Sequence, residues 1–151
     1  LADKKKKNPL ARLKIARDIA SGLADVHSID GDEEATLVHF DVNLANVVSV
    51  GGRLKLNDFN IGVLLKRNET SGEACGFPSK YSNPQWRSPE EANGSQHLSE
   101  KVDVYSLGNI FFRLICLHEP WHKLEPGYNN GEEIPKVYVN NQVKRGALPF
   151  I

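Results

Sequence analysis

His39-Phe40-Asp41-Val42-Asn43-Leu44-Ala45-Asn46 is followed, after two short β-prone runs, by Asp58-Phe59-Asn60-Ile61-Gly62. The intervening runs are Asn46 to Val50 and Arg53 to Leu56, and Gly51-Gly52 lies between them. Gly-Gly permits the positive φ angles of a two-residue hairpin turn. A hairpin sets its outer ends side by side, so Asn46, entering the first strand, and Asp58, leaving the second, are expected to meet. Asp41 lies just before, in the loop that feeds the hairpin. Asp and Asn populate turns for reasons unconnected with ligands. As an ordered set, however, Asp41, Asn46 and Asp58 bring three oxygen-bearing side chains together, a donor set suited to a hard cation such as Mg²⁺.

The whole chain sets the outer bounds. Its 151 residues suffice for one domain with a single core. Nineteen Lys and Arg balance nineteen Asp and Glu, so charge gives no sign of a nucleic-acid or anionic-membrane partner. No apolar run is long enough to span a bilayer. The start, Leu-Ala-Asp-Lys-Lys-Lys-Lys-Asn-Pro, lacks the apolar centre of a signal peptide. Cys75 and Cys116 stand far apart, which suits a reducing compartment better than a disulfide framework. A cytoplasmic or other intracellular location is the expectation. Two sequons, at Asn68 and Asn93, carry little weight without a secretory signal.

The organisation outside the central stretch is mainly helical. Residues 1–8 read as a basic, solvated lead-in. Pro9 opens a helix that runs to about His27, with Ile15, Ile19, Leu23 and Val26 on one apolar face. Ser28 to Thr36 is an acidic loop, and Thr36-Leu37-Val38 is a short strand delivering His39. Lys66 to Asn83 is dense in turn formers. Ser99 offers an N-cap for a helix that is apolar nearly all round (Val102, Tyr105, Leu107, Ile110, Phe111, Phe112, Leu114, Ile115) and is therefore expected to be buried. Ile134 to Ile151 holds a last short helix. His118-Glu119-Pro120-Trp121-His122 matches the zinc-protease pattern H-E-x-x-H, but Pro120 would break the helix that must carry both His.

The central stretch resembles the eukaryotic protein kinase family, whose H-R-D-x-x-x-x-N and D-F-G patterns stand here as H-F-D-x-x-x-x-N and D-F-N. Ser88-Pro89-Glu90 is similar to A-P-E, and Trp86 before it suggests the tyrosine-kinase-like branch. Asp103-Val104-Tyr105-Ser106-Leu107-Gly108 resembles the D-x-x-S-x-G of the central helix. The resemblance covers residues 9–151 and implies the large lobe of a kinase. That fold is mainly α (α+β) with a small β-hairpin, and the small lobe is absent from these residues. It divides the chain into a catalytic loop at 39–46, a metal loop at 58–62, an activation segment reaching residue 90 and a central helix at about 99–117. It implies roles as well. Asp41 would act as base, and Asn46 and Asp58 would hold magnesium and ATP. His39, Phe59, Asp103 and Glu90 would support the site: Asp103 by accepting from the backbone near His39 and Phe40, Glu90 by pairing with an Arg beyond residue 151. Gly108 would allow a close helix approach. The implied partners are ATP and a protein with a Ser/Thr or Tyr hydroxyl.

Four departures bear on activity. Phe40 stands where an Arg usually reads activation-loop phosphorylation. Asn43 stands where a Lys usually steadies the transferred phosphate, and Leu44 and Ala45 supply no cation; such a charge is worth on the order of a few kcal/mol in the transition state. Asn60 replaces Gly, a mild change because Asn tolerates positive φ. No Gly-rich loop or V-A-I-K strand occurs in the 151 residues, so these residues by themselves are expected not to turn over. Three readings follow. The first is a protein kinase fragment whose parent transfers the ATP γ-phosphoryl group. The second is a pseudokinase serving as a nucleotide-binding or scaffolding module, and the third is an unrelated helical interaction domain.

Overall fold

The computed structural model describes residues 8–31, 34–80, 83–121 and 134–149; the basic run Lys4 to Lys7 and His122 lie outside them. Helix α1 spans Pro9–His27. Asn8 caps its start, its Oδ1 accepting from the amides of Leu10 (3.0 Å) and Ala11 (3.4 Å), and Pro9 loses nothing at a position whose N–H has no helical partner. Ile19 and Leu23 are buried, so the 3.6-residue periodicity marks the face it promised.

Among the described residues, four short strands form two antiparallel ladders. Strand β1 (Leu37–Val38) pairs with β4 (Val63–Leu64), and β2 (Val47–Val50) pairs with β3 (Arg53–Leu56). Val50 opposes Arg53, which leaves Gly51 and Gly52 as the two-residue turn. Their φ angles of 57° and 78° are the pair a type I′ turn requires. The β2–β3 hairpin lies between β1 and β4 in sequence. The chain therefore leaves β1 through residues 39–46 and returns to β4 through residues 57–62, and these two connections run side by side. The Asn57 amide adds one bond to the Asn46 carbonyl, at 2.9 Å.

Helix α2 is the single turn Pro89–Ala92, α3 runs Lys101–Cys116 and α4 runs Lys136–Lys144. Ile19, Leu23, Val42 and Ile110 bind α1, the 39–46 loop and α3 into one core cluster. Each such side chain contributes roughly 1.5–3 kcal/mol of burial. Val38, Phe40, Phe77, Leu98 and Val102 form a second cluster. Ala92, Trp121, Val139 and Val143 seat α4 in a third.

Several expectations need correction. Helix α3 is not buried all round: Val102, Asp103, Ser106, Asn109 and Ile110 face inward, while Val104 and Ile115 are exposed. Apolar composition therefore overstated its burial. Glu100 already has helical backbone angles and makes no side-chain cap bond, while Ser99, the expected cap, accepts from the Lys101 amide on its Oγ at 3.4 Å. A Cβ on Gly108 would meet nothing within 4 Å, so no close approach rests on that glycine. The helix ends at Leu117 in the left-handed conformation, before His118, so the H-E-x-x-H pattern has no common helix to stand on. No described helix is long and apolar enough to cross a membrane.

One glycine is demanded by packing. Gly76 has φ +70°, and a Cβ there would lie 2.9 Å from the His97 Cα. Gly94 has φ +72° with open space around it. Left-handed backbone alone costs an alanine about 1–2 kcal/mol, and crowding adds about 1 kcal/mol or more. Gly76→Ala should therefore lose at least about 1 kcal/mol more than Gly94→Ala in denaturant unfolding. Equal losses would show that the 76–98 contact is not tight.

Candidate active site

The site is built on one turn of strained backbone. Phe40 has φ 65°, a conformation that costs a bulky residue on the order of 1–3 kcal/mol. The carboxylate of Asp103, 1% exposed, holds it there. Asp103 Oδ2 accepts from the His39 amide at 2.7 Å, and Oδ1 accepts from the Phe40 amide at 2.8 Å. His27 Nε2, at the last turn of α1, donates to Oδ2 at 3.0 Å. Charge-assisted bonds of this kind are each worth about 1.5–3 kcal/mol, enough together to offset the strain. One turn further along α3, Ser106 Oγ donates to the Trp86 carbonyl at 2.8 Å. The Asp-x-x-Ser spacing thus lets one helix face hold both the 39–46 loop and the 84–88 segment.

His39 is fully buried. Its Nδ1 accepts from the Asp41 amide at 3.3 Å and its Nε2 donates to the Asn57 carbonyl at 3.0 Å, partners that place the ring proton on Nε2. Its ring lies 4.5 Å from that of Phe59. These contacts tie the outgoing connection to the returning one.

Asp41 follows directly. Asn46 Nδ2 donates to the Asp41 carbonyl at 2.9 Å and to Asp41 Oδ2 at 2.8 Å. Arg87 Nη2 donates to Asp41 Oδ1 at 3.0 Å, and Arg87 Nη1 donates to the Phe40 carbonyl and, at 3.3 Å, to Glu91 Oε1. The Asp41 side chain is still 37% exposed, so a substrate can reach it. Asn43 has no charge to offer and is occupied in a local cap. Its Oδ1 accepts from the Ala45 and Asn46 amides, at 2.8 and 3.3 Å, and its Nδ2 donates to the Asp41 carbonyl at 3.1 Å.

Asp58 has φ 65° and an exposed side chain. It sits one residue past Asn57, at the end of the hairpin where Asn46 lies. The positive φ of this loop falls on Asp58; Asn60 does not adopt it, so the Gly-to-Asn difference needs no special backbone. Asn46 Nδ2 is spent on Asp41, which leaves its amide oxygen as an acceptor, and Asp58 follows Asn57, whose amide bonds the Asn46 carbonyl. Two hard oxygen donors on adjacent segments fit a magnesium ion that takes its remaining ligands from water and nucleotide phosphates. Among the described residues no cluster of three His, Cys, Asp or Glu side chains forms an all-protein metal cage.

The buried carboxylate after Ser88-Pro89 is Glu91 and not Glu90, which is exposed. Ser88 and Glu91 form a reciprocal capping box on α2: the Ser88 amide donates to Glu91 Oε2 at 2.9 Å, and the Glu91 amide donates to Ser88 Oγ at 3.3 Å. The S-x-x-E spacing is a readable signature of that cap. Arg87 has a local partner in Glu91 at i+4, but its bond to Asp41, 46 residues away, has no local signal.

A loop that holds Asp41 beside Asn46 thus runs next to a returning loop that carries Asp58, on a two-ladder helical scaffold. The protein kinase domain model matches residues 2–147, and the chain belongs to that family. It is 31% identical over 121 residues to the dual specificity protein kinase pyk3 of Dictyostelium discoideum, covering 80% of this chain and 8% of that protein. It is 32% identical over 121 residues to the probable serine/threonine-protein kinase roco8 of the same organism, covering 75% and 6%. It is 30% identical over 116 residues to the serine/threonine-protein kinase CTR1 of Arabidopsis thaliana, covering 76% and 13%. The chain thus spans a small fraction of the length of the curated relatives it matches.

Burial pushes the Glu91 carboxyl above its ordinary 4.5, against the opposing pull of the Ser88 amide and the Arg87 charge. The folded state therefore holds this proton more tightly than the unfolded chain. Its contribution to stability is fully present below pH 4.5 and is lost as pH rises through the raised folded value. The stability of the native chain relative to Glu91→Gln should accordingly fall as pH increases from 4.5 towards neutrality. Unfolding curves of both forms across that range measure it, and a difference independent of pH would contradict the burial effect.

Proposed function

We propose that the complete domain carrying this chain transfers the γ-phosphoryl group of ATP to a protein hydroxyl. The observation that carries this reading is the double hold on Asp41, by Asn46 on one carboxylate oxygen and Arg87 on the other. A carboxylate fixed on two sides and open on a third suits orientation of a substrate hydroxyl and acceptance of its proton. Asn46 and Asp58 would hold Mg²⁺, which when bound neutralises charge on the β- and γ-phosphate oxygens. The relatives carry serine/threonine and dual specificity in their names, and Trp86 points to the tyrosine-kinase-like branch. Ser/Thr or Tyr hydroxyls are the substrates this supports, within an intracellular protein.

A pseudokinase is the second reading, favoured by Asn43, whose side chain is committed to a local cap where a cation is expected. Steady-state transfer to a generic phosphoacceptor protein decides between them. Asp41→Asn should lower kcat by about 10³-fold or more if Asp41 is the base. ATP–magnesium binding by calorimetry without turnover in the unmodified domain selects the pseudokinase.

Phe40 also bears on regulation. Its ring is buried and meets Phe77 edge-on at 5.0 Å, so an aromatic contact ties the catalytic loop to the 66–90 segment where an Arg–phosphate pair could otherwise do so. Phosphatase treatment of the active domain should leave its rate within about twofold, because ordering by phosphate needs a cationic partner in the loop. A loss of tenfold or more would show that another cation reads the phosphate.

A further inference from the structure

We propose that Arg87, just before α2, is the positioning residue for Asp41 and supplies beside that carboxylate the cation that the 39–46 loop lacks. The proposal rests on the phosphotransfer reading of Asp41. The loop 39–46 has no Lys or Arg of its own. Arg87, 7% exposed on its side chain, reaches the loop from the segment just before α2. Its Nη2 takes Asp41 Oδ1 at 3.0 Å, its Nη1 binds the Phe40 carbonyl, and its guanidinium carbon lies 5.6 Å from the Phe40 ring centroid. The planar fork thus touches the backbone before Asp41 and the carboxylate of Asp41 at once, a geometry lysine does not reproduce.

The seat of the fork is rigid. Glu91 Oε1 braces Nη1 from the first turn of α2, and the residue before Arg87 is fixed by Ser106 of α3. A nearly buried cation between two carboxylates is costly to strip of either. The pair does not cap Asp41. A carboxylate offers about four lone-pair sites, Arg87 and Asn46 each use one, and the side chain stays over a third exposed. Arg87 therefore orients the base without closing it off. The consequence is a dependence of the base on the segment: Asp41 is held in its working rotamer only while residues 84–91 are seated on α3.

The test compares Arg87→Met, Arg87→Lys and the Asn43→Lys/Arg87→Met double variant in the complete domain, with magnesium, ATP and a generic phosphoacceptor protein. Arg87→Met should lower kcat about 100-fold with KM for ATP within about threefold, since misplacing a catalytic group acts on the chemical step. Arg87→Lys, which keeps the charge and the fold, should lose about tenfold. Adding Asn43→Lys to Arg87→Met should recover at least about tenfold, because a cation restored on the loop replaces the lost one. A merely structural arginine would not be rescued from that position. Rates within threefold of the unmodified domain for both single variants, a rise in kcat, or no rescue would each overturn the assignment. A domain with no turnover counts against the catalytic reading itself. The assignment is then decided by thermal unfolding of Asp41→Asn, Arg87→Met and their double: coupled midpoint shifts support it and additive shifts overturn it.

Discussion

One buried carboxylate holds the architecture of the site together. Asp103 accepts from two successive amides, those of His39 and Phe40, and from His27 at the end of α1. The Phe40 backbone sits at a positive φ that its bulk disfavours. Without the carboxylate, two buried amides would lose their acceptor, at roughly 1–3 kcal/mol each, and the turn would have no reason to keep its strained shape. Everything that presents Asp41 begins at that turn. The same contact anchors the 39–46 loop to α3 and α3 to the end of α1, so loop conformation and helix packing are not separable.

Around this anchor the cleft is closed by contacts that cross between distant segments. The ladders β1–β4 and β2–β3 set residues 39–46 and 57–62 alongside each other, and the His39 ring bridges them. The 84–91 segment adds the third wall through Ser106, Phe40 and Arg87. Charge within the wall sets Arg87 between the carboxylates of Asp41 and Glu91. The usual kinase pattern has a cation on the catalytic loop; here the loop contributes the neutral Asn43, whose amide stabilises the turn before Asn46. Asn43 therefore serves the local backbone and Arg87 serves the carboxylate.

The bounds of α1, Pro9 to about His27, were legible in sequence because 3.6-residue periodicity is a local property, while the Asn8 cap came with the structure. Gly51-Gly52 and the runs beside it gave the hairpin and its register, because two consecutive positive φ angles suit little else. The order of Asp41, Asn46, Asp58 and Asp103 gave the family, and the Asp103 contacts follow the role the family implies. Tertiary structure decided the rest. Which face of α3 is buried, and that Gly108 faces open space, depend on neighbours brought by the fold, and composition could not rank them. Glu91 is buried and Glu90 exposed, a choice between adjacent carboxylates set by the direction of one helical turn. Arg87 finds Asp41 across 46 residues of chain, and no spacing rule reaches that far. Local backbone chemistry is written in neighbouring residues, while charge pairing and burial are settled only when separate segments share one low-dielectric space.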